Sequence, residues 1–329
     1  MLAVFDRLAL FERGDKMNCP QCNKPAKKFG KHRNGLQRYR CPNCKKTFTE
    51  PHTRPLGYMI LNEEKAMSVL QHLVEGCSVR STSRITGVHP RTILNLLTLA
   101  GEKCEQLMEE RICGLRVKDV QCDELWGYVG MKEKTKTRQG KEETTIGDAW
   151  TFVAIERYSK LVLAWHLGRR TEGDTIAFTE KIARATEGRF QITTDGFKPY
   201  QDAVVLSLGA QQVDFAQLVK LYTANPENEA RYSPAECTGC KKVPVFGNPD
   251  MSKVSTSHVE RSNLTMRMQM RRLTRLTNAF SKKWKKLYAM LSLYFAWYNF
   301  CRVHQTLRVT PAQEAGLTDH IWEIRELLA

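Results

Sequence analysis

Four cysteines in two pairs constrain the beginning of this chain more than any other feature. The pairs are C-x2-C motifs at Cys19/Cys22 and Cys41/Cys44, with eighteen residues between them. Two such motifs form turns that present four thiolates to one tetrahedral Zn²⁺. The surrounding sequence is poor in large apolar residues, so a bound metal would supply the folding energy that a small core cannot. The spacing therefore predicts a zinc ribbon over residues 17–52 with one structural zinc ion.

The charge of the chain indicates a polyanionic partner. It has 51 Lys and Arg against 35 Asp and Glu, a formal net charge of +16. Residues 18–48 alone carry nine Lys or Arg and no acid, with aromatic side chains among them. Such a surface gains affinity for nucleic acid by releasing counterions from phosphates. A purely structural finger is the alternative for this segment.

Residues 60–113 have the apolar spacing of helices. Ala66, Met67, Leu70, Leu73 and Val74 predict an amphipathic helix that ends at Gly76. A short helix through Ile85, a turn at Gly87 and a helix opened by Pro90 follow. This order predicts a helix-turn-helix DNA-binding domain over 60–113, and a small helical bundle packed on the next domain is the alternative. The residues that we expect to face a DNA major groove are Arg91, Thr92 and Asn95.

The remainder of the chain alternates strand-like and helix-like runs. We therefore predict an α+β fold, with one domain over 117–313 that contains a loop insertion over 223–256. A long basic helix is predicted over 258–280, followed by a second, apolar helix. Residues 1–16 and 314–329 are expected to be terminal extensions.

Three acidic residues fall where function is more plausible than structure. Asp123 interrupts an apolar strand, Asp195 ends another strand, and Glu260 begins the basic helix. A carboxylate in an apolar strand is costly unless a partner or metal satisfies it. Gathered together, three carboxylates could hold two Mg²⁺ or Mn²⁺ ions. Each acid also has a plain structural explanation as a helix cap, a turn residue or half of a salt bridge.

The trio, with 71 and 64 residues between its members, resembles the DDE catalytic core of transposases and retroviral integrases. The closing segment YNFCRVHQTLRVTPAQ is similar to the YN…R-x-H…L…TP pattern of that family. The order of zinc ribbon, helix-turn-helix and acidic domain resembles the insertion-sequence-one group of bacterial transposases, and the likeness covers nearly all of residues 17–313. It implies a ribonuclease-H-like mixed sheet flanked by helices. In that fold the first Asp lies on the first strand, the second on the fourth, and the Glu on a later helix.

The resemblance also assigns roles to individual residues. Asp123, Asp195 and Glu260 would be the catalytic metal ligands, and Arg267 would be the basic residue that many members carry after the Glu. Glu124 adjoins Asp123, but neighbouring side chains on a strand point to opposite faces, so only one of the two should join the site. The family pattern selects Asp123.

Two further features of the sequence give weaker predictions. The cations that follow Glu260 are expected to grip the DNA strand being cut, and those singled out are Arg271, Arg272 and Arg275. Cys237 and Cys240 form a C-x2-C motif without a second pair nearby, so we expect loop cysteines without metal.

The function implied by the resemblance is metal-dependent DNA cleavage and strand transfer, by attack of water and then of a 3′-hydroxyl on DNA phosphates. The partners would be double-stranded DNA, at the element ends and the target, and further copies of the chain in a homodimer or larger assembly. A DNA-binding regulator derived from a transposase is the alternative, and a nuclease of the same fold is another. The sequence has neither the uninterrupted apolar core of a signal peptide nor a run long enough to span a membrane, which predicts a cytoplasmic, nucleoid-associated protein.

Overall fold

The computed structural model describes residues 17–52, 54–222, 237–275 and 277–329. The chain divides into two compact units, residues 1–63 and 64–329. The extension predicted over residues 1–16 lies outside the described residues.

The secondary-structure elements follow one another along both units. The strands are β1 (Lys27–Lys31), β2 (Gln37–Arg40), β3 (Thr47–Thr49), β4 (Leu115–Arg116), β5 (Asp119–Val129), β6 (Gly147–Glu156), β7 (Val162–Gly168), β8 (Thr186–Glu187), β9 (Phe190–Asp195), β10 (Val213–Tyr222) and β11 (Cys237–Phe246). The helices are α1 (Glu63–Val74), α2 (Val79–Thr86), α3 (Pro90–Arg111), α4 (Glu133–Arg138), α5 (Glu172–Ala185), α6 (Pro199–Leu208), α7 (Ser257–Gln269), α8 (Trp284–Phe300) and α9 (Pro311–Glu314). A 3₁₀ turn over Glu326–Leu328 lies near the end of the chain.

The first unit is built on a small antiparallel sheet with the strand order β1-β2-β3. All five residues of β1 are exposed, so this sheet has little apolar core to offer. Its buried side chains include Leu36 and Leu56 together with Cys19 and Cys41. The spacing predicts a four-cysteine cluster near the N-terminus. This cluster is the centre of the first unit.

Helices α2 and α3 begin and end where local sequence signals place them. The Ser78 hydroxyl accepts a hydrogen bond from the Ser81 amide and caps the start of α2. Gly87 ends α2 in the left-handed conformation, with φ of 68°. Pro90 is the first residue of α3, where its missing N–H costs nothing. The short turn between the two helices is thus specified by residues within it.

The helix-turn-helix domain over 60–113 stays a prediction, and α3 belongs to the same compact unit as the six-stranded sheet. Helix α3 packs along α8, and the closest approach is at Gly101. A Cβ atom placed there would lie 2.6 Å from the Cα atom of Ala289. Only a residue without a side chain allows the two backbones to approach this closely. This contact between residues distant in sequence could not be read from the local pattern.

The second unit is centred on a six-stranded sheet with the order β11-β10-β9-β5-β6-β7. Strands β5, β6 and β7 are antiparallel neighbours, whereas β9 runs parallel to β5 and β10 runs parallel to β9. Strand β11 returns antiparallel to β10 and forms the edge. The α+β class, with a mixed sheet flanked by helices, is therefore confirmed.

Helices cover both faces of this sheet. On one face, Phe152 of β6 packs against Phe178 of α5, which contacts Tyr200 of α6. On the other face, Trp165 of β7 stacks on Phe295 of α8. Phe152 pairs with His166, the residue after Trp165 on β7, so the two aromatic side chains point to opposite faces, as the two-residue period of a strand requires.

Helix α8 is almost entirely buried, as its apolar sequence predicts. It has 17 residues, and every residue from Ala289 to its end is buried. The Asn299 side chain binds both the N–H and the C=O of Val162, which fixes α8 against strand β7. Among the described residues, no helix is long and apolar enough to cross a membrane.

The segment over 314–329, predicted to be a terminal extension, packs into the core of the second unit. Leu327 and Leu328 are buried, and the carbonyl oxygen of Leu328 accepts a hydrogen bond from Lys103 of α3. The Trp322 ring lies 4.7 Å from the ring of Phe300. The sequence does not indicate this packing, because the few apolar residues of the segment have no helical or strand period.

Two further boundaries need correction. The predicted loop insertion over 223–256 contains strand β11, which pairs with β10; its first part, 223–236, lies outside the described residues. The long helix predicted over 258–280 ends at Gln269. The Arg267 guanidinium donates hydrogen bonds to the carbonyl oxygens of Leu273 and Trp126, which holds the chain in a turn where a helix would otherwise continue.

Candidate metal sites and nucleic-acid surface

The four cysteines of the first unit converge on one point. Their sulfur atoms all lie within 4.8 Å of one another, with 3.5 Å between Cys19 and Cys44 and 3.5 Å between Cys22 and Cys41. Among the described residues, these cysteines form the only group of three or more Cys, His, Asp or Glu with ligand atoms this close. Four thiols so arranged can bind a structural metal such as zinc.

The two cysteine turns have the same backbone construction. The amide of Cys19 donates to the carbonyl oxygen of Lys24, and the amide of Cys41 donates to that of Lys46, each at 2.9 Å. Asn23 and Lys45 occupy equivalent left-handed positions, with φ of 53° and 61°. These bonds direct backbone amides toward the sulfurs, and the Lys24 amide together with the Cys41 thiol lowers the pKa of Cys22 to about 6. A thiolate is the form that binds metal.

In the second unit, two of the three predicted acids lie on neighbouring parallel strands, Asp123 in the middle of β5 and Asp195 at the end of β9. Parallel strands β5 and β9 pair in the register Asp119–Gln191 and Gln121–Thr193. Continuing that register by two residues brings Asp123 opposite Asp195, with both side chains toward the same face. Both residues line one groove, together with Lys220 and Phe197.

Helix α7 brings Glu260 to an adjoining groove that shares Asp123 with the first. The Gln121 side chain accepts hydrogen bonds from the amides of His258 and Val259, which docks the start of α7 on strand β5. One turn further on, the Asn263 side-chain amide donates to Asp123 Oδ2 at 2.8 Å. Glu260 and Asn263 then line a groove that also contains Asp123. Neither Gln121 nor Asn263 was singled out from the sequence, although Asn263 lies three residues after Glu260 on the same helix face.

Two basic side chains lie among these acids. Lys220 Nζ donates to Glu260 Oε1 at 2.6 Å, and Arg170 Nη2 lies 3.2 Å from Asp195 Oδ2. The three carboxylates do not form a set with all ligand oxygens within 4.8 Å of one another, unlike the cysteines. Lys220 and Arg170 are therefore the positively charged partners of Glu260 and Asp195 in this structure.

The electrostatics of the groove nevertheless suit a bound cation. Burial raises the pKa of Asp123 to about 6, and the nearby Asp195 carboxylate adds to the rise. A buried side-chain oxygen of Asn263, Oδ1, has no hydrogen-bond partner among the described residues, and neither does Glu124 Oε1. Clustered carboxylates and unpaired oxygens are the ligands that Mg²⁺ and Mn²⁺ prefer, so the residues present fit a divalent cation.

Glu124 is more closely connected to the site than strand alternation suggests. Its side chain points to the opposite face from Asp123, toward the buried Tyr200 hydroxyl, which lies close to it but short of hydrogen-bonding geometry. Arg170 joins the two faces, since its Nε donates to Glu124 Oε2 at 3.0 Å while Nη2 reaches Asp195. The expectation that only Asp123 of the two adjacent acids joins the metal site stays a prediction, and Arg170 links Glu124 to that site indirectly. Strand alternation fixes the face of the sheet from which a side chain leaves the strand. The long Arg170 side chain can still contact both carboxylates.

Arg267 lies in the groove but is held by backbone. It lines the same cleft as Asp123 and Glu260, while its two terminal nitrogens donate to the carbonyl oxygens of Leu273, in the turn after α7, and of Trp126 on β5. Burial, and then the neighbouring Arg275, lower the pKa of its guanidinium. In this structure Arg267 therefore shapes the wall of the groove.

The residues predicted to contact DNA differ in their accessibility. Arg91 and Asn95 are exposed on the first turns of α3, and Thr92 is half-buried between them. Arg271 and Arg275 are exposed in the turn after α7. Arg272 is a correction: its guanidinium is buried, which lowers its pKa to about 10, and Nη1 donates to the Ser281 hydroxyl at 2.9 Å. The predicted helix would have turned Arg272 outward, but the chain leaves the helix two residues earlier.

Cys237 and Cys240 lie on strand β11, so the prediction of loop cysteines is wrong in its local structure. Both are exposed. Neither belongs to the cysteine group of the first unit, and among the described residues no second metal-binding group of this kind is present.

A scan against models of protein families finds no match, and a search of curated proteins finds no significantly similar sequence. The chemistry of this chain is therefore inferred from its own residues and their arrangement.

Proposed function

We propose that this protein is a DNA strand-transferring enzyme, a DDE-type transposase similar to the insertion-sequence-one group. One observation carries the proposal: Asp123 and Asp195 lie on neighbouring parallel strands and line one groove, and α7 brings Glu260 to an adjoining groove that shares Asp123. Carboxylates so gathered from distant parts of a chain are costly to assemble without a cation to bind. Salt bridges or helix caps alone would not require three acids close to one another.

The order of the strands supports a ribonuclease-H-like fold for this domain. Asp123 is on the first strand of the large sheet in chain order, β5, and Asp195 is on the fourth, β9. Glu260 is on a helix that follows the sheet. The first three strands are antiparallel and the next two are parallel to the first. This is the placement of acids that the resemblance to the DDE family implies.

Asp123, Asp195 and Glu260 would hold two Mg²⁺ or Mn²⁺ ions, with Asn263 orienting the first carboxylate. Such ions activate an attacking hydroxyl and stabilise the leaving oxygen of a phosphodiester. Lys220 contacts Glu260 in the groove and would neutralise the phosphate that enters it. The open, polar groove suits a nucleic-acid backbone better than a small apolar molecule, which prefers an enclosed cavity.

Recognition of DNA is assigned to the basic parts of both units. The proposed zinc ribbon has an exposed basic strand, β1, and Phe29 within it lies under the guanidinium groups of Arg38 and Arg40. In the proposed helix-turn-helix, Arg91 and Asn95 are exposed at the start of α3, the position from which a recognition helix contacts base edges. Because two element ends must be joined, we propose a homodimer or larger assembly on DNA, associated with the nucleoid.

The proposal is tested by strand cleavage and joining on DNA that carries the element's ends, with Mg²⁺ or Mn²⁺. Asp195→Asn and Glu260→Gln keep side-chain shape but remove the charge that holds a metal, so each should lose nearly all product. DNA binding should persist in both variants, because a negative charge beside the phosphates is removed. Asp202→Asn is the matched control, since Asp202 is exposed on α6 away from the groove, and it should retain full activity.

The outcomes separate the proposal from its alternatives. Wild-type levels of product in either groove variant would rule out the three-carboxylate site. A wild type that binds the ends but never cuts would instead support a DNA-binding regulator, a function consistent with the pairing of Arg170 and Lys220 with the acids. Cleavage without joining would indicate a nuclease.

A further inference from the structure

Arg170 occupies an unusual position at the edge of the acidic groove. It lies just after β7, and its guanidinium contacts two carboxylates at once, with 3.0 Å to Glu124 and 3.2 Å to Asp195. The same group lies 4.1 Å from the ring centroid of Phe197 and 5.0 Å from that of Trp150. Two acids and two aromatic rings therefore hold one cation at the place where Asp195 would receive a metal.

The two carboxylates differ in how much they depend on Arg170. The Glu124 side chain is 1% exposed, and its other oxygen has no partner among the described residues. The Asp195 side chain is 28% exposed, and its Oδ1 is already bonded to the amide of Phe197. Separating Arg170 from Glu124 would strand a buried charge, whereas Asp195 can exchange one cation for another from solvent.

We propose that Arg170 is a resident counter-cation that occupies Asp195 until a divalent metal binds, and that it then releases Asp195 while remaining paired with Glu124. This inference rests on the proposed function, because it assumes that Asp195 is a metal ligand. Arg170 acts through Asp195 and is a positioning residue. Its role is to keep the groove neutral and ordered in the metal-free protein, at the expense of some metal affinity.

The test is a titration of full-length, zinc-loaded protein with Mn²⁺, measured by calorimetry. Arg170→Gln removes the competing charge, so Mn²⁺ should bind about tenfold more tightly, equivalent to about 1.4 kcal/mol. Because this variant leaves Glu124 unpaired and could fold poorly, Glu124→Gln/Arg170→Gln removes both halves of the pair and should also bind more tightly than wild type. Arg169→Gln is the matched control: its side chain is similarly exposed and bonds backbone carbonyls outside the groove, so affinity should not change.

A second readout distinguishes movement of Arg170 from a simple change of charge. If Arg170 leaves Asp195 when metal binds, its position over the Trp150 ring changes, and tryptophan emission should shift during the Mn²⁺ titration. The shift should disappear in Trp150→Phe and in Arg170→Gln, and persist in Arg169→Gln.

Weaker or unchanged Mn²⁺ binding in both Arg170 variants would overturn the inference and leave the proposed function intact. An emission that stays constant while wild type binds Mn²⁺ would also overturn it. A wild type that binds no Mn²⁺ at all would remove both the inference and the metal role of Asp195. Loss of cleavage in Asp195→Asn, measured separately, keeps these two failures distinguishable.

Discussion

Replacing Gly101 by Ala should lower the stability of the second unit, although alanine is the better helix former. A Cβ at Gly101 would lie 2.6 Å from the Cα and 2.7 Å from the carbonyl oxygen of Ala289. Both atoms belong to the backbone of α8, so α3 and α8 must separate locally. Overpacking of this kind costs about 1–3 kcal/mol, and the gain in helix propensity offsets about 1 kcal/mol of it. Because the clash is with backbone atoms, we expect a cost in the upper part of that range, about 2–3 kcal/mol, and therefore a net loss of about 1–2 kcal/mol.

Gly173→Ala is the matched control for this substitution. Gly173 is also helical, in the first turn of α5, but a Cβ there would meet nothing within 4 Å. Without a clash, the substitution should raise stability by about 0.5–1 kcal/mol. Thermal and urea unfolding of the two variants and the wild type measure the difference, at about 2–4 °C per kcal/mol for a domain of this size.

A Gly101→Ala protein as stable as the wild type would refute the close contact between α3 and α8. The contact matters for function because α3 also carries Arg91 and Asn95. If the packing holds α3 in place, Gly101→Ala should weaken DNA binding without touching DNA, whereas Gly173→Ala should leave it unchanged.

Three further outcomes are expected. Purified protein should contain one Zn²⁺ per chain by elemental analysis, and Cys41→Ser should lose both the metal and the fold of the first unit. Arg271→Ala should weaken DNA binding and reduce its salt dependence with little change in stability. Arg272→Ala removes a buried hydrogen bond and should therefore lower the free energy of unfolding by about 1–3 kcal/mol. Equal effects of the two substitutions on urea unfolding would contradict the burial of Arg272. In metal-free protein, Asp123 and Glu124 have pKa values raised by burial to about 6 and about 7, so the folded state holds their protons more tightly than the unfolded chain. The contribution of these two carboxyl groups to the free energy of unfolding should therefore fall as the pH rises from 3.8 toward about 7, and urea titrations of wild type and Asp123→Asn across this range should differ by the contribution of Asp123.

Some predictions for this chain depend on a local sequence pattern, and others depend on contacts between residues that are distant in the sequence. Arg91 and Asn95 were located by a local pattern, the turn at Gly87 and the proline that opens α3. Arg272 was misassigned because the end of α7 depends on a tertiary contact, the hydrogen bonds of Arg267 to Leu273 and Trp126. A helical period continues through this region in the sequence, and nothing local marks where it stops.

The sequence alone determined whatever rests on short-range geometry. The four-cysteine cluster follows from C-x2-C turns, since each turn closes through hydrogen bonds within a few residues. The alternation of strands and helices, the place of Asp123 within a strand and the places of Asp195 and Glu260 at element ends likewise follow from period and turn signals.

Only the tertiary structure decided how those elements meet. Strand pairing brought Asp123 beside Asp195, and Gln121 and Asn263 fixed α7 over them through contacts across more than 130 residues of chain. The Arg170 guanidinium contacts both Glu124 and Asp195. Strand alternation alone would not predict a link between Glu124 and the groove. These arrangements depend on the sum of many distant packing contacts, and a period of two or of 3.6 residues carries no information about them.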